Sequence, residues 1–241
     1  MFGGYGMYGF GWYFDPTILL VLIGVLISLW AQGRVNSTYS RYSRVRSMTG
    51  MTGAEAARRL LNSQGIYDVT VRPVAGNLTD HYDPRTKTVN LSQSVFNSTS
   101  VAAIGVAAHE CGHAIQDNQS YAPLRIRTAI VPVANFGSAI SWPLILLGLI
   151  FGGFGSPLVE IGILMFSLAV LFQLVTLPVE YNASSRAVKL LDSQGILSGS
   201  EVDGTRKVLN AAALTYVAAA ATSILQLLRL MILFGGRDRR D

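Results

Sequence analysis

Long apolar runs are the main feature of the pattern of hydrophobic and polar positions along this chain. Residues 16–31 are nearly all apolar and end shortly before Arg34, and two further runs cover residues 129–151 and 158–177. A helix that crosses a bilayer needs ~20 predominantly apolar residues. The three runs therefore predict three transmembrane helices.

A fourth apolar run, residues 208–234, is rich in alanine and carries Arg229. The short linker 152–157 has no charge, so the second and third runs predict an antiparallel transmembrane hairpin with its tip outside the cell. The basic segments 34–127 and 186–207 then lie in the cytoplasm, where loops carry an excess of Lys and Arg. The basic C-terminal tail breaks this rule if the fourth run crosses completely, so we expect the last helix to enter the membrane only partly.

Between the first two runs the pattern changes to that of shorter elements. Residues 52–66 have the apolar spacing of an amphipathic helix, and Thr52 with Glu55 three residues later is the signature of a capping box. Residues 98–116 predict a second helix, which begins with a capping residue in the Ser-Thr-Ser run at 98–100.

Two segments between these helices have the pattern of strands. Residues 69–74 alternate between apolar and polar side chains, as a strand does. Residues 79–82 and 86–91 are joined by an Asp-Pro turn signal at 83–85 and predict a small β-hairpin. The polar part of the chain therefore predicts a small α+β unit.

The amino-acid composition mainly excludes some classes of protein. Half of the 241 residues are apolar, 14% are charged and the mean hydropathy is +0.39, which excludes an ordinary soluble domain. The net charge of +5 comes from arginines beside the apolar runs, such as Arg34, Arg125 and Arg127, with no RNA- or DNA-binding motif. These arginines indicate the flanks of membrane helices. The single cysteine, Cys111, allows no internal disulfide, as is usual in reducing compartments.

One motif carries the candidate chemistry: His-Glu-Cys-Gly-His at residues 109–113. In a helix His109 and His113 lie on one face about one turn apart, so both imidazoles can reach one metal ion. Glu110 is placed to take a proton from a metal-bound water, whose pKa zinc lowers to about 7. The alternative is a helix with two buried histidines and no metal, which is costly unless every polar atom is paired. Cys111 points away from the histidine face, which predicts a packing role.

A catalytic zinc ion needs a third protein ligand and an open position. The remaining histidine is His81, and the carboxylates near the apolar runs are Glu160 and Glu180. Glu160 starts the third run near the outer membrane face, whereas the predicted hairpin brings Glu180 back near His113. We therefore predict Glu180 as the third ligand, at the start of a helix over residues 181–191. The alternative is a helix N-terminal Glu that the macrodipole stabilises.

Three segments carry a resemblance to a known family: residues 78–84, residues 107–116 and residues 177–187. Over nearly the whole chain the sequence resembles the YugP-type membrane zinc metallopeptidases. More distantly it is similar to the HtpX and CAAX prenyl protease group of gluzincins.

The resemblance implies two His and one Glu as zinc ligands and the Glu of the motif as general base, which are His109, His113, Glu180 and Glu110. In the distant group an Asp usually stands four residues after the ligand Glu, and Ser184 occupies that position here. Such an Asp makes a hydrogen bond to a ligand histidine. We expect that bond from Asn182 or another group.

His81 is a further catalytic candidate, because it lies in the predicted hairpin beside the zinc helix. A strand in that position can hold extended substrate by backbone pairing, and His81 or Tyr82 would then polarise the scissile carbonyl. The alternative is a residue on the hairpin surface. Arg186 and Tyr216 are weaker candidates for stabilising the oxyanion.

Together these patterns predict a mainly α-helical membrane protein with three to four transmembrane helices and a small cytoplasmic α+β, zincin-like metallopeptidase part. Residues 1–33 would form an N-terminal segment with the first transmembrane helix, and residues 34–127 the cytoplasmic part. Residues 128–178 would form the transmembrane hairpin. Residues 179–241 would form the third-ligand helix and a membrane-associated C-terminal helix.

The predicted function is that of a multi-pass zinc-dependent endopeptidase of the cell membrane, with its active site facing the cytoplasm. It would use one zinc ion (Zn2+) on polypeptide substrates, with the lipid bilayer but not nucleic acid as a partner; the sequence does not determine its oligomeric state. Two alternatives stay open: a site-2-type intramembrane protease and a non-catalytic zinc-binding membrane scaffold. Polar residues bracket the motif at 97–100 and 116–119, which argues against the long apolar helix of a site-2-type enzyme.

Overall fold

The computed structural model of this chain describes residues 15–153 and 156–235. Residues 1–14, the linker residues 154 and 155, and the basic tail 236–241, on which some of the expectations above depend, lie outside the described residues. In chain order the elements are α1 (Ile18–Tyr42), α2 (Gly53–Ser63), β1 (Thr70–Val74), β2 (His81–Asp83), β3 (Thr88–Ser92), α3 (Gln93–Phe96), α4 (Val101–Asn118), α5 (Ala122–Gly152), α6 (Pro157–Ser193) and α7 (Ser200–Phe234).

Four helices in the described part of the chain have the length and hydropathy of membrane spans: α1, α5, α6 and α7. Their surfaces expose large apolar side chains, such as Leu26 on α1, Phe136 on α5, Leu164 on α6 and Ile232 on α7. Soluble proteins rarely expose contiguous apolar surface of this extent. The prediction of a mainly α-helical membrane protein with a small α+β part is confirmed.

Helices α1 and α7 pack antiparallel along the length of α1. The Thr222 hydroxyl donates to the Gly24 carbonyl oxygen at 3.1 Å, and the Arg229 guanidinium pairs with the Asp15 carboxylate at 2.9 Å, just before α1 begins. Helix α7 therefore reaches the level of the first turn of α1, and it is long and apolar enough to span a membrane beside α1. The described residues thus contain four candidate spans, and the partial entry of the last helix, which was expected from the charge of the tail, stays a prediction. The pairing with Asp15 explains how an apolar helix accommodates Arg229.

Helices α5 and α6 form the expected antiparallel hairpin. A Cβ atom added at Gly162 would lie 2.6 Å from Ile145 Cγ1, and one at Gly137 would lie 2.8 Å from the Met165 carbonyl oxygen. Glycine at these positions lets the two helix backbones approach closely, as is common between helices in membranes.

Helix α6 continues from Pro157 to Ser193, so the prediction of a separate helix that starts after Glu180 is wrong. Glu180 lies inside α6, two residues after Pro178. The sequence pattern changes there because α6 leaves the apolar belt and enters the α+β core, where Leu191 is fully buried. A proline inside a helix removes one backbone hydrogen bond, but packing of neighbouring helices allows the helix to continue.

A three-stranded sheet in the order β1-β3-β2 lies beside α4. Strands β2 and β3 form the predicted hairpin, with Tyr82 opposite Val89. Strand β1 pairs with β3 in parallel, which the sequence could not reveal because side-chain alternation is the same in both pairing modes. Strand β2 is consequently an edge strand.

The α+β core surrounds α4, most of which is buried. Helix α2 begins with the predicted capping box: the Glu55 amide donates to Thr52 Oγ1 at 3.2 Å, and the Thr52 amide donates to Glu55 Oε2 at 2.8 Å. Helix α4 begins after Ser100, whose Oγ accepts from the Ala103 amide at 3.2 Å. These caps satisfy backbone N–H groups in the first turn and fix where both helices start.

Candidate metal centre

Helix α4 presents His109 and His113 on one face, as their spacing predicts. The two rings meet edge to face with centroids 4.7 Å apart, and their Nε2 atoms lie 3.2 Å from each other. Both side chains are largely removed from solvent. The geometry thus directs one nitrogen of each ring to a common point.

Helix α6 brings Glu180 to the same point. Glu180 Oε2 lies 3.2 Å from His109 Nε2 and 3.5 Å from His113 Nε2. The close approach of the two helices depends on Gly112, where a Cβ atom would lie 2.6 Å from the Ala183 carbonyl oxygen. The three residues predicted as ligands are therefore brought together, with candidate ligand atoms within 4.8 Å of one another.

Hydrogen bonds behind the rings determine which nitrogen faces this point. His109 Nδ1 lies 3.1 Å from Ser184 Oγ, and His113 Nδ1 lies 3.0 Å from Gln116 Oε1. The amide group of Gln116 donates to the Val179 carbonyl oxygen at 2.9 Å and to Asn182 Oδ1 at 3.0 Å. Gln116 Oε1 is thus an acceptor, which assigns the imidazole proton to Nδ1 and leaves Nε2 with a free lone pair.

Asn182 was named as a candidate for the hydrogen bond that the missing Asp would make to a ligand histidine, and Ser184 is the residue that makes it. Ser184 itself contacts His109, although a serine at this position gave reason to expect another group. Asn182 acts one step further away, because it holds Gln116, and Gln116 holds His113. The sequence analysis did not identify Gln116, which lies three residues after His113 on the same helix face.

The donor set fits a zinc ion. Three lone-pair atoms converge from His109, His113 and Glu180, and Glu180 Oε2 is buried without a hydrogen-bond partner among the described residues. Converging acceptors are costly to bury unless a cation lies between them. Two imidazoles and one carboxylate are a common ligand set of catalytic zinc, which keeps a further position open.

The charge around His113 favours a cation in the same place. Burial by itself lowers the pKa of His113, but contact with Glu180 and the negative charges of Glu110 and Glu180 outweigh it and raise the pKa above its usual value. The surroundings that attract a proton also attract a metal ion, which competes with that proton.

Glu110 is placed for acid–base chemistry beside this cluster. It is buried, with 8% of its surface exposed, and it lines a cavity together with both histidines. Among the described residues no hydrogen bond or ion pair occupies its carboxylate. A free carboxylate at this position can accept a proton from a water molecule in the cavity.

The cavity has a volume of about 460 Å³ and lies between strand β2 and the start of α5. His81 is in its wall, but the ring nitrogens of His81 also contact the Thr79 carbonyl oxygen at 2.8 Å and Asn90 Nδ2 at 3.2 Å within the hairpin. The Tyr82 hydroxyl donates to Asp117 at 2.8 Å, and burial together with this bond raises the pKa of Tyr82. Both side chains therefore line the cavity while engaged elsewhere.

Of the two weaker oxyanion candidates, the structure brings one to the site. Tyr216 lines the main cavity, whereas Arg186 lies outside its wall and donates to Asn182 Oδ1 at 2.6 Å. Arg127, interpreted from sequence as a flanking charge, also lines the cavity, with Nη2 4.0 Å from Glu180 Oε1. The neighbouring Arg125 lines the cavity as well, so it is the contact with Glu180 that separates Arg127 from it.

A second, smaller cavity of about 160 Å³ also has Glu110 in its wall. Its wall is mainly apolar, with Val106, Leu209 and Ala213 among its residues, and it shares Tyr216 with the main cavity. Two cavities therefore adjoin the carboxylate of Glu110.

The centre lies at the edge of the apolar belt. Glu180 is 23 residues along α6 from Pro157, which corresponds to about 35 Å of helix and is close to the thickness of a bilayer core. Exposed apolar side chains such as Leu171 and Leu174 lie on the hairpin side of Glu180. Helix α4 is not among the four helices with the character of a span, which does not favour an intramembrane site-2-type arrangement.

Comparison with known proteins agrees with this geometry. A family model described as "Putative neutral zinc metallopeptidase" matches residues 17–235. The chain is 50% identical over 222 residues to "Putative membrane protease YugP" of Bacillus subtilis (strain 168). The aligned residues make up 92% of this chain and 98% of that protein. No solved structure matches.

Proposed function

Because this chain belongs to the family described as "Putative neutral zinc metallopeptidase", we propose that it is a membrane-embedded zinc-dependent endopeptidase that cleaves polypeptides. The observation that carries the proposal is the convergence of His109, His113 and Glu180 beside an unengaged Glu110 in an open cavity. Neither a structural metal site nor a buried histidine pair needs such a carboxylate next to open space.

His109, His113 and Glu180 would hold the ion. When bound, zinc supplies a Lewis acid that polarises a peptide carbonyl and lowers the pKa of a water molecule. Ser184 and Gln116 hold the two rings in the orientation that this binding needs.

Glu110 would act as general base and then as general acid. Its carboxylate accepts a proton from the attacking water, and the same proton passes to the amine that leaves when the peptide C–N bond breaks. The cavity in front of Glu110 leaves room for the peptide on the side of His81 and Arg127.

Tyr216 and Arg127 would stabilise the negative charge that develops on the carbonyl oxygen. The tyrosine offers a hydroxyl donor and the arginine a fixed positive charge, and both line the cavity that contains Glu110. His81 stays a further candidate for this role, provided that its ring leaves the hairpin contacts when substrate binds.

The substrate would be a polypeptide segment close to the membrane surface. The centre lies at the edge of the apolar belt, and β2 presents a free strand edge beside the cavity, where an extended segment can pair with it. The basic segments around the α+β part support a cytoplasmic position of the active site, because loops on that side of the cell membrane carry an excess of Lys and Arg.

The proposal is tested with purified full-length protein, by zinc content per chain and by cleavage of a broad peptide library. Glu110→Gln should keep its zinc and lose about 10²–10⁴-fold in cleavage rate. Glu160→Gln, which removes an exposed carboxylate at the far end of α6, should change neither quantity.

Two results would contradict the proposal. Equal cleavage rates of wild type and Glu110→Gln would show that Glu110 is not the general base. Zinc-loaded wild type that cleaves no peptide would favour the non-catalytic scaffold.

A further inference from the structure

A groove on the surface of the helix bundle, at the end that carries the α+β part, has no part in the proposed hydrolysis. It lies between α1, α6 and α7 and has a volume of about 680 Å³. Arg34, Arg41 and Lys207 line it, and no acidic residue of the described chain does so. The groove is therefore a concentrated patch of positive charge with a concave shape.

Helix periodicity brings the polar side chains of this groove together. Arg34, Thr38 and Arg41 are spaced by four and three residues, so they share one face of α1. Lys207 and Asn210 are three residues apart on the adjoining face of α7. Two antiparallel helices thus supply cations and hydrogen-bond donors to the same space.

None of the three cations has an ion pair within the described part of the chain. Arg41 lies over the ring of Tyr42 at 5.6 Å, a contact that leaves its N–H groups available. Arg206, next to Lys207, pairs with Asp203 at 2.7 Å. Uncompensated positive charges around one groove repel one another, and a bound anion relieves that repulsion.

The groove lies where the outer surface of the bundle changes from apolar to polar. On α1 the exposed side chains are largely apolar up to Trp30, which is 58% exposed, and polar or charged from Arg34. On α7 the exposed positions are polar at Lys207 and Asn210 and apolar from Val217. This is the depth at which a bilayer presents its phosphate groups.

We propose that this groove binds the phosphate-bearing headgroup of an anionic phospholipid, with the acyl chains along the apolar faces of α1 and α7. Basic pockets between membrane helices recognise lipid headgroups in this way, and a guanidinium matches phosphate with two parallel hydrogen bonds. A free phosphate ion would meet the same cations but would leave the adjoining apolar surface unused, which favours the lipid.

The test measures retention of phosphatidylglycerol and phosphatidylcholine by the full-length protein, by native mass spectrometry from mixed micelles. Wild type should retain phosphatidylglycerol in preference. The triple variant Arg34→Gln, Arg41→Gln, Lys207→Gln should lose about 10–100-fold in affinity for it and bind phosphatidylcholine as before. The double variant Arg34→Lys, Arg41→Lys, in which Lys207 is unchanged, keeps the charge and should keep most of the preference.

A matched control removes the same number of positive charges elsewhere. Arg58→Gln, Arg72→Gln and Arg85→Gln lie on the α+β part, at exposed positions outside the groove. This triple variant should retain phosphatidylglycerol like wild type. An equal loss in both triple variants would indicate general electrostatic attraction and overturn the proposal.

A second arm separates lipid from free phosphate. Millimolar inorganic phosphate should neither displace phosphatidylglycerol nor raise the unfolding temperature through the groove cations. Displacement of the lipid, with a rise in unfolding temperature that the groove variant loses, would make the groove a site for a soluble phosphate and overturn the lipid assignment. Neither arm depends on peptidase activity, so failure here and failure of the proposed function are distinguishable.

Discussion

At the residue scale, the centre depends on two neutral groups that orient its histidines. Ser184 contacts Nδ1 of His109, and Gln116 contacts Nδ1 of His113. In many metal sites a carboxylate makes this contact with a ligand histidine. A hydroxyl or amide leaves the imidazole less basic than a carboxylate would, so the negative charge at the centre comes mainly from Glu180 and Glu110. The substitution of one supporting group should therefore affect metal affinity more than folding.

Ser184→Ala removes the hydrogen bond to His109 and leaves the ring free to turn. We expect a loss of about 10–100-fold in zinc affinity, measured by competition with a chelator of known affinity. Ser185→Ala, at the exposed neighbouring position, serves as the control and should bind like wild type. Unchanged affinity in Ser184→Ala would show that the ring needs no support from Ser184.

Tyr216→Phe removes the hydroxyl of a tyrosine that lines the cavity and keeps the ring. If this hydroxyl stabilises the oxyanion, kcat for peptide cleavage should fall about 10²–10³-fold, with zinc content and KM little changed. Tyr67→Phe, at a tyrosine that is 78% exposed, should keep full kcat. A rise in KM alone would assign Tyr216 to substrate binding.

At the element scale, the crossing of α4 over α6 assembles the centre. Two histidines belong to one helix, and the carboxylate and Ser184 belong to the other. The crossing is tight because Gly112 has no side chain where the backbone of Ala183 passes. The distance between the two helices thus sets the distance between the ligands.

Gly112→Ala should push the two helices apart. A Cβ atom 2.6 Å from the Ala183 carbonyl oxygen predicts a destabilisation of about 1–3 kcal/mol, seen as a lower unfolding temperature in detergent, together with weaker zinc binding. Gly33→Ala is the control, since its Cβ would meet nothing within 4 Å, and it should stabilise α1 by about 0.5–1 kcal/mol. Full zinc affinity in Gly112→Ala would separate the helix crossing from the metal centre.

At the scale of the whole molecule, two antiparallel helix pairs carry the α+β part on one end of a membrane bundle. Helix α7 accompanies α1 to its first turn, and the pair Asp15–Arg229 lies at the end away from the candidate centre. Helices α5 and α6 close the second pair. If all four helices cross, the N-terminal end of α1, the C-terminal ends of α5 and α7 and the N-terminal end of α6 lie on one side.

This arrangement predicts a pattern of cysteine labelling. With an impermeant maleimide on intact cells, Pro16→Cys and Glu160→Cys should react, whereas Arg85→Cys and Ser193→Cys should react only after permeabilisation. The native Cys111 should stay unlabelled in the folded protein, because burial and the charge of Glu110 raise the pKa of its thiol.

A C-terminal epitope tag reports on α7 in the same experiment. It should be accessible on intact cells if α7 crosses completely. If the tag is inaccessible on intact cells, as residue 85 is, the last helix enters the membrane only partly. Labelling of residue 85 on intact cells would reverse the proposed orientation.

Several features could be predicted from sequence because they depend on neighbouring residues alone. The spans follow from the length of apolar runs, the capping box from the Thr52–Glu55 spacing, and the hairpin from its turn residues. The motif at 109–113 predicts two imidazoles on one helix face for the same reason. The continuity of α6 through Pro178 was missed, because a local change of pattern does not show what supports a helix from outside.

The sequence by itself determined the class of membrane protein and the chemistry of the motif, since hydrophobic length and helical periodicity are local properties. Only the tertiary structure decided that Ser184 supports His109, that Arg127 faces the cavity while Arg186 does not, and that α7 runs beside α1 to its start. These facts depend on how helices distant in the chain cross one another. That crossing is set by the fit of small residues against backbone, which no local pattern of hydrophobic and polar positions records.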